Sequence, residues 1–281
     1  MPKVKDVYQK AVSEGREFDV PSQDIRTLLA YLQNYSEPID VILHGDDEVK
    51  NLEDFQDRFE RLKKNEPVEY VINQADFLGQ KLYVDERVLI PRHETMELVS
   101  KITEVISSYY DPRNYLVAAD IGTGSGCIAL ALKRFFPNWL LNASDVSEGA
   151  LEVARKNFRE AGVNINVLLG SSLKPYIEAK MNLDIIVSNP PYILNHDEVQ
   201  DSVKDFEPSC ALYLDKESSV YEEIFHDIYQ VKKGSLFLAF EIGYDLKDYL
   251  ESLMKQYLKD YEYEFMEDLD ERLRFLFVYL K

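Results

Sequence analysis

Leu183-Asp184-Ile185-Ile186-Val187-Ser188-Asn189-Pro190-Pro191-Tyr192 is the stretch on which the reading of this chain turns. Its first six residues form a short β-branched run of the kind buried in the middle of a parallel sheet. Pro190 and Pro191 have no N–H to give to a ladder, so they end the strand. Asn189 is left at the carboxyl end of a central strand, where open α/β sheets bind their ligands. Its side-chain oxygen and the carbonyl of Pro190 are two acceptors, and Tyr192 offers a flat face beside them. Two convergent acceptors under a ring suit a planar –NH2 group, such as a carboxamide or an exocyclic base amine. Taken alone, these residues fit equally well a strand that merely stops at two prolines.

Around this strand, β and α patterns alternate. Residues 115–120 read as a strand, Gly122-Thr123-Gly124-Ser125-Gly126 as a turn, and residues 127–135 as an apolar helix. Residues 140–145 are the next strand, and Ser147 caps a helix carrying Leu151, Ala154 and Phe158 that Gly162 closes. Residues 166–169 and 183–188 are the third and fourth strands. Val220, Ile224, Ile228 and Val231 mark a helix, residues 235–241 a fifth strand, and Leu246, Leu250 and Leu253 another helix. The last two runs, 261–266 and 274–280, are joined by an acidic connection too short for a crossover helix, so they pair antiparallel. The expected fold is α/β: a doubly wound, mostly parallel seven-stranded sheet ending in an antiparallel hairpin, over residues 93–281.

Residues 1–66 read differently, as a small all-α domain. Ser22 caps a helix with Ile25, Leu28, Leu29 and Leu32 on one face, and Asn51 caps another bearing Leu52, Phe55, Phe59 and Leu62. Glu53 and Asp54 suit the first turn of the latter. Ile39, Val41, Ile42 and Leu43 suggest a short helix between them. The domain holds no catalytic cluster and reads as a packing or docking module. Residues 67–92, with Tyr70, Val71, Phe77, Leu82, Tyr83 and Val84 around Gly79, read as a β-hairpin linking the two domains. Pro91-Arg92-His93-Glu94-Thr95 then opens an amphipathic helix through Leu98, Val99, Ile102, Val105, Ile106 and Tyr109. Spacing leaves open whether Arg92 and Glu94 face the site.

With 281 residues, 46% hydrophobic and 30% charged, the chain has the composition of a globular protein. It has no apolar run long enough to cross a bilayer and its first residues lack a signal-peptide core, so a cytoplasmic protein without membrane partners is expected. Cys127 and Cys210 lie outside any metal-ligand spacing and read as small buried residues; four scattered histidines add no metal site. The net charge of −19 would repel a phosphate backbone, so free nucleic acid is a poor substrate and a basic protein a better partner.

Glycines between a first strand and a helix let backbone approach a ligand. Asp145, at the end of the second strand, can accept both hydroxyls of a ribose, which points to an adenosine ligand. The loop is Gly-x-Gly-x-Gly rather than the nicotinamide fingerprint Gly-x-Gly-x-x-Gly. Asp120 just before it argues against a pyrophosphate and could serve a cationic ligand tail. S-adenosylmethionine, with an ammonium, a sulfonium and no phosphate, fits Asp120, Gly122, Thr123, Gly124, Ser125, Gly126 and Asp145 better. Ser171 and Ser172, after the third strand, sit where an adenine edge should pass, and Asn189 closes the set.

In this order, the glycine loop, Asp145 and Asn189-Pro190-Pro191-Tyr192 make the chain resemble a class I methyltransferase of the amino-methylating type. More specifically it resembles the HemK/PrmC family, the release factor glutamine N5-methyltransferases. The shared features are the helical N-terminal domain, the hairpin with Phe77 and Gly79, and Ile90-Pro91-Arg92-x-Glu94-Thr95. To these are added residues 120–126, Asp145-Val146-Ser147, residues 188–193, Glu207-Pro208-x-x-Ala211-Leu212 and Glu241-Ile242-Gly243. His93 and Met96 depart from the proline and glutamate of the family pattern, and residues 215–219 lack its usual glycines.

The resemblance implies methylation of the glutamine in the Gly-Gly-Gln loop of peptide-chain release factors, with S-adenosylmethionine as methyl donor and a monomeric enzyme. Asn189 and the Pro190 carbonyl would each take one amide N–H, turning the nitrogen toward the methyl group, and Pro191 and Tyr192 would wall the substrate pocket. Three rivals stand beside this reading. A ribosomal-protein glutamine methyltransferase is mildly disfavoured by residues 92–95. An adenine N6-methyltransferase is disfavoured by the charge, and a silent cofactor-binding module by the intact strand-end motif.

Overall fold

The computed structural model describes residues 1–111, 113–193, 201–214 and 219–281, the side chains of Asp201 and Ser202 excepted. The loop 215–219, where the family glycines are missing, falls outside these apart from Ser219. The chain divides into two compact units, the first built on Met1–Gln74. It contains α1 (Val4–Gly15), α2 (Ser22–Gln33), α3 (Asp40–Leu43), α4 (Leu52–Leu62) and α5 (Val68–Ile72). Their apolar faces meet in one core around Ile25, Leu28, Leu29, Phe55 and Phe59. Asn51 caps α4 by accepting from the Asp54 N–H, as its sequence position requires. Ser22 does not cap α2. Pro21 holds the cap position in extended backbone and its carbonyl accepts from Asp24 N at 3.0 Å, so Ser22 is already the first helical residue.

A second difference is α5 itself. Tyr70 and Val71 were expected to be extended but are helical. A short apolar run does not by itself distinguish strand from helix. Here the Pro67 carbonyl accepts from Tyr70 N and Val71 N, and Asn73 ends the turn at φ 53°. Arg61, from α4, adds its own donors to the carbonyls of Tyr70 and Val71 at 3.2 and 3.3 Å, beside Asn73 N on the first and Arg58 on the second. That contact stabilises a helix end too short to persist alone.

The second unit opens with a hairpin, β1 (Ala75–Phe77) and β2 (Gln80–Leu82), turning through Leu78 and Gly79 at positive φ. Then follow α6 (His93–Val105), β3 (Val117–Ile121), α7 (Cys127–Phe135), β4 (Leu140–Asp145), α8 (Glu148–Glu160) and β5 (Asn166–Leu169). Next come α9 (Lys174–Glu178), β6 (Leu183–Ser188), α10 (Asp201–Phe206, which clusters with the first unit) and α11 (Val220–Asp227). The unit ends with β7 (Lys232–Glu241), α12 (Lys247–Tyr257), β8 (Tyr261–Glu267) and β9 (Leu273–Leu280). Ser147 caps α8 through Ala150 N, and Gly162, at φ +67°, closes it.

β3 to β9 form a seven-stranded sheet in the order β5-β4-β3-β6-β7-β9-β8, parallel except where β9 pairs antiparallel with β7 and β8. Strand residues alternate between two cores. Ala118, Ile185, Val187 and Phe237 face the layer of α6, α7 and α8, whereas Ala119, Ile186 and Leu238 face α11 and α12. Both faces are therefore covered, which is why the strands lack polar alternation. β3 starts two residues later than expected, because Tyr115 is 69% exposed and outside the ladder. β7 begins three residues earlier than its apolar run. Among the described residues, no helix is long and apolar enough to cross a membrane.

Candidate active site

The chain runs from β3 outward through β4 and β5, then returns to lay β6 on the other side of β3. That reversal brings the carboxyl ends of β3 and β6 together, the place where doubly wound sheets open a crevice. The seam is tied by Ser188, whose hydroxyl donates to the Ile121 carbonyl at 2.7 Å. A cleft of about 990 Å³ including its open mouth lies over this junction.

The glycine loop forms one wall. Gly122, Thr123, Gly124 and Ser125 line the cleft. Gly122 and Gly124 have positive φ, and a Cβ on either would meet nothing within 4 Å, so the backbone is bare toward the open space. Gly126 also has positive φ but does not line the cleft. A Cβ there would stand 2.5 Å from the Phe158 ring of α8, so this glycine serves helix packing. Asn157 of α8 holds the loop from the same side, donating to the Ser125 carbonyl at 2.8 Å.

Asp145 lines the cleft at the end of β4 and accepts from Gly124 N at 3.0 Å and Ser147 N at 2.9 Å. Burial raises its pKa from the ordinary value, and these backbone N–H groups oppose the shift. Asp120 lies behind the loop instead of facing the cleft. It is fully buried, accepts from Thr123 Oγ1 at 2.6 Å and Ala129 N at 3.1 Å, and burial pushes its pKa to about 7. Asp120 thus grips the loop through one oxygen, and it is not among the residues that line the cleft. Ser171 and Ser172 both line the cleft; Ser171 donates to Glu223 at 2.8 Å, and Ser172 adopts φ 52°.

On the β6 side, Asn189, Pro190 and Pro191 line the cleft, and Tyr192 does not. The Tyr192 ring packs on the inner core with the Arg274 guanidinium 5.6 Å from its centroid, and its hydroxyl donates to Glu241 Oε1 at 3.2 Å. The apolar surroundings that bury the ring turn it from the cleft, so the expected wall is supplied by other residues. Among them are Val88, Leu89 and Pro91 after the hairpin, and Pro208, Ala211 and Val220. Sequence reasoning did not assign Thr95 or Glu241 to the site. Thr95 lines the cleft, accepts from Asn189 Nδ2 at 3.1 Å and donates to Glu241 Oε2 at 2.7 Å. Their only sequence signal is membership of the Pro91–Thr95 and Glu241–Gly243 stretches.

Arg92, left open above, is paired with the buried carboxylate of Glu207, which also accepts from Ile90 N at 3.2 Å. Neither Arg92 nor Glu94 lines the cleft. Cys127 is buried, but Cys210 is exposed at the cleft mouth, contrary to the expectation that both are buried. It sits in a single turn after Pro208 that has no helix face to bury. Among the described residues, no group of three or more His, Cys, Asp or Glu is placed to hold a metal ion.

Residues 100–221 match the family model described as "Methyltransferase small domain". The chain is 40% identical over 217 residues to the "Release factor glutamine methyltransferase" of Streptococcus pneumoniae, covering 76% of this chain and 75% of that one. It is 36% identical over 246 residues to the protein of the same name from Bacillus subtilis, covering 86% and 82%. Among solved structures, it resembles the hMettl16 catalytic domain (TM-score 0.54, 18% identity, 85% of each chain). A methyltransferase from Pyrococcus furiosus is also similar (TM-score 0.50, 18% identity, 80% of this chain and 98% of that one). The structural matches carry the fold; the sequence matches, spanning most of both chains, carry the family, and the chain belongs to the release factor glutamine methyltransferases.

Proposed function

We propose that this protein transfers a methyl group from S-adenosylmethionine to the side-chain amide nitrogen of the glutamine in the Gly-Gly-Gln motif of peptide-chain release factors. One observation carries the reading: a bare glycine loop and a strand-end Asn189 line the same cleft at the sheet's switch point. The donor fits the residues present. Gly122 and Gly124 offer a surface a Cβ would obstruct, and the Asp145 carboxylate can accept ribose hydroxyls without meeting a phosphate. When bound, the donor supplies an electrophilic methyl on a sulfonium. Ser171 and Ser172 border the region assigned to its base.

An amide nitrogen is a poor nucleophile because its lone pair is delocalised into the carbonyl. The protein's task is alignment, which is worth about 7–11 kcal/mol when the reacting atoms are well placed. Asn189 Oδ1 and the Pro190 carbonyl each accept one N–H of the glutamine and hold the nitrogen toward the methyl group. Pro191 restricts the chain beside them. Tyr192 contributes from beneath, through Glu241, instead of covering the substrate. Asp120 contributes through the loop it grips.

The helical unit, expected over residues 1–66 and extended by α5 to Gln74, is assigned to docking of the protein substrate, with the rest of 67–92 as linker, and the enzyme acts as a monomer on a protein rather than on free nucleic acid. The net charge of −19 supports a basic protein surface as partner. Incubating the protein with labelled S-adenosylmethionine and a purified release factor, with DNA as control, tests the whole reading. Label on the Gly-Gly-Gln glutamine is expected; label on DNA alone would overturn it.

A further inference from the structure

An asparagine side chain has two ends of nearly equal shape and opposite polarity: an oxygen that accepts and an –NH2 that donates. Which end faces a substrate is decided by what the other end touches. We propose that Thr95 and Glu241 are a positioning pair that sets the polarity of the Asn189 amide, turning its oxygen and not its nitrogen toward the substrate amide. The inference rests on the assignment of Asn189 as the acceptor for the glutamine N–H.

Glu241 ends β7, is fully buried, and as a carboxylate can only accept. Tyr192 donates to Oε1 and Thr95 to Oε2. The single hydroxyl hydrogen of Thr95 is thereby used, and what remains on Oγ1 is a lone pair. A lone pair takes only a donor, and Asn189 presents Nδ2 to it at 3.1 Å. Oδ1 therefore points away from Thr95. Thr95 is itself buried in the first turn of α6, with no freedom to swing. The relay joins three elements that are remote in the chain: Glu241 lies 146 positions and Asn189 94 positions beyond Thr95.

The polarity depends on Glu241 staying ionised. Burial pushes its pKa up to about 7, against the opposing effect of the Arg274 cation on β9. Arg274 is held by Asp268 at 3.1 Å and the Ile242 carbonyl at 3.3 Å. The other titratable groups facing Glu241 are Glu94 on α6, Tyr192 after β6, Tyr221 on α11 and Cys127 on α7. Once protonated, Glu241 can donate to Thr95, whose hydroxyl is then free to donate to Asn189 and favour the reversed amide. Methyl transfer should therefore fall as the pH drops below about 7.

The test compares wild type, Thr95→Val, Thr95→Ser and Glu241→Gln in single-turnover methyl transfer to a release factor, with cofactor affinity and melting temperature alongside. Thr95→Val should be slower by about tenfold, the value of a lost hydrogen bond, with cofactor affinity unchanged. It should also lose the acid limb of the pH profile. Thr95→Ser, which keeps the hydroxyl, should restore both rate and limb. Glu241→Gln can donate to Thr95 at every pH, so it should be the slowest and show no limb. Wild-type speed in Thr95→Val, or equal slowness in Thr95→Ser, would overturn the pair. Because Glu241→Gln can also disturb folding, the Thr95 variants decide the matter alone. The Asn189 side-chain –NH2 resonance gives a readout independent of substrate. It should shift in Thr95→Val and stay in place in Thr95→Ser; an unmoved resonance in Thr95→Val overturns the inference. A wild-type protein that leaves release factors unmethylated would instead overturn the substrate reading, with the resonance still reporting on the pair.

Discussion

The carboxyl ends of β3 and β6 lie side by side, and each is held from behind by a fully buried carboxyl group with a pKa near 7. Each carboxyl accepts from a threonine hydroxyl: Asp120 from Thr123 at 2.6 Å, Glu241 from Thr95 at 2.7 Å. What the two supports position is different. Asp120 also accepts the Ala129 N–H, so it fixes the path of a glycine-rich backbone and the loop presents main chain to the cleft. The Glu241 carboxylate is partnered on both oxygens by side chains, and it fixes the direction of one side-chain amide. Backbone suits a ligand that must be approached closely; an oriented side chain suits a nucleophile that must be aligned.

Four outcomes would break or sharpen this contrast. The largest effect is expected at Gly126, which separates packing from ligand contact within one loop. Gly126→Ala combines left-handed strain with a Cβ 2.5 Å from Phe158. It should lose about 2–5 kcal/mol of stability. Gly124→Ala, with nothing within 4 Å, should lose only about 1–2 kcal/mol. Urea unfolding of both variants measures the difference, and equal losses would mean the loop is held uniformly.

At the β6 end, Asn189→Ala removes an acceptor and leaves a substrate N–H unpaired, at about 1–3 kcal/mol before any misalignment. Methyl transfer should drop by about a hundredfold. Single-turnover kinetics with parallel calorimetry should find cofactor affinity barely changed. A near-normal rate would reduce this strand end to a structural stop.

The β3 side answers to the opposite readout. Asp145→Ala should weaken cofactor binding by about 1.5–3 kcal/mol, the range for hydrogen bonds to a charged group. Calorimetric titration of the folded variant measures it, and unchanged affinity would place the ribose elsewhere.

The most gradual effect, spread over several pH units, concerns the buried carboxyl behind the loop. The Asp120 pKa rises from 3.8 unfolded to about 7 folded, so the native state binds the extra proton. Its contribution to stability is full below the unfolded value and is lost as pH rises toward 7. The slope it adds is at most about 1.4 kcal/mol per pH unit across that window. Asp120→Asn, neutral throughout, should flatten the decline between pH 5 and 7 in urea unfolding. An unchanged slope would mean that Asp120 keeps its proton no better folded than unfolded.

Much of this site was legible in residue order because its signals are local. Asn51 and Ser147 cap their helices, Gly162 closes α8, and Pro190 and Pro191 end β6, all through contacts within a few residues. Alternation and run length were enough to recognise a sheet covered on both faces, with an antiparallel end. Where the local signal was ambiguous, remote partners decided. Tyr70 and Val71 are helical with Arg61 of α4 donating to their carbonyls, and Ser22 lost its cap to the Pro21 carbonyl.

The sequence by itself determined which residues end the strands and which chemistry they can offer: glycines for bare backbone, Asp145 and Asn189 for acceptors. Only the tertiary structure decided where those groups point. Asp120 and Tyr192 carry the expected functional groups yet turn away from the cleft, because a buried partner holds each more firmly than open solvent would. Thr95 and Glu241 enter the site only once β7 is laid beside β6 and α6 beside β7. A side chain at a strand end takes its direction from neighbours supplied by other strands and helices, and those neighbours are set by strand order, not by the residues on either side of it in the chain.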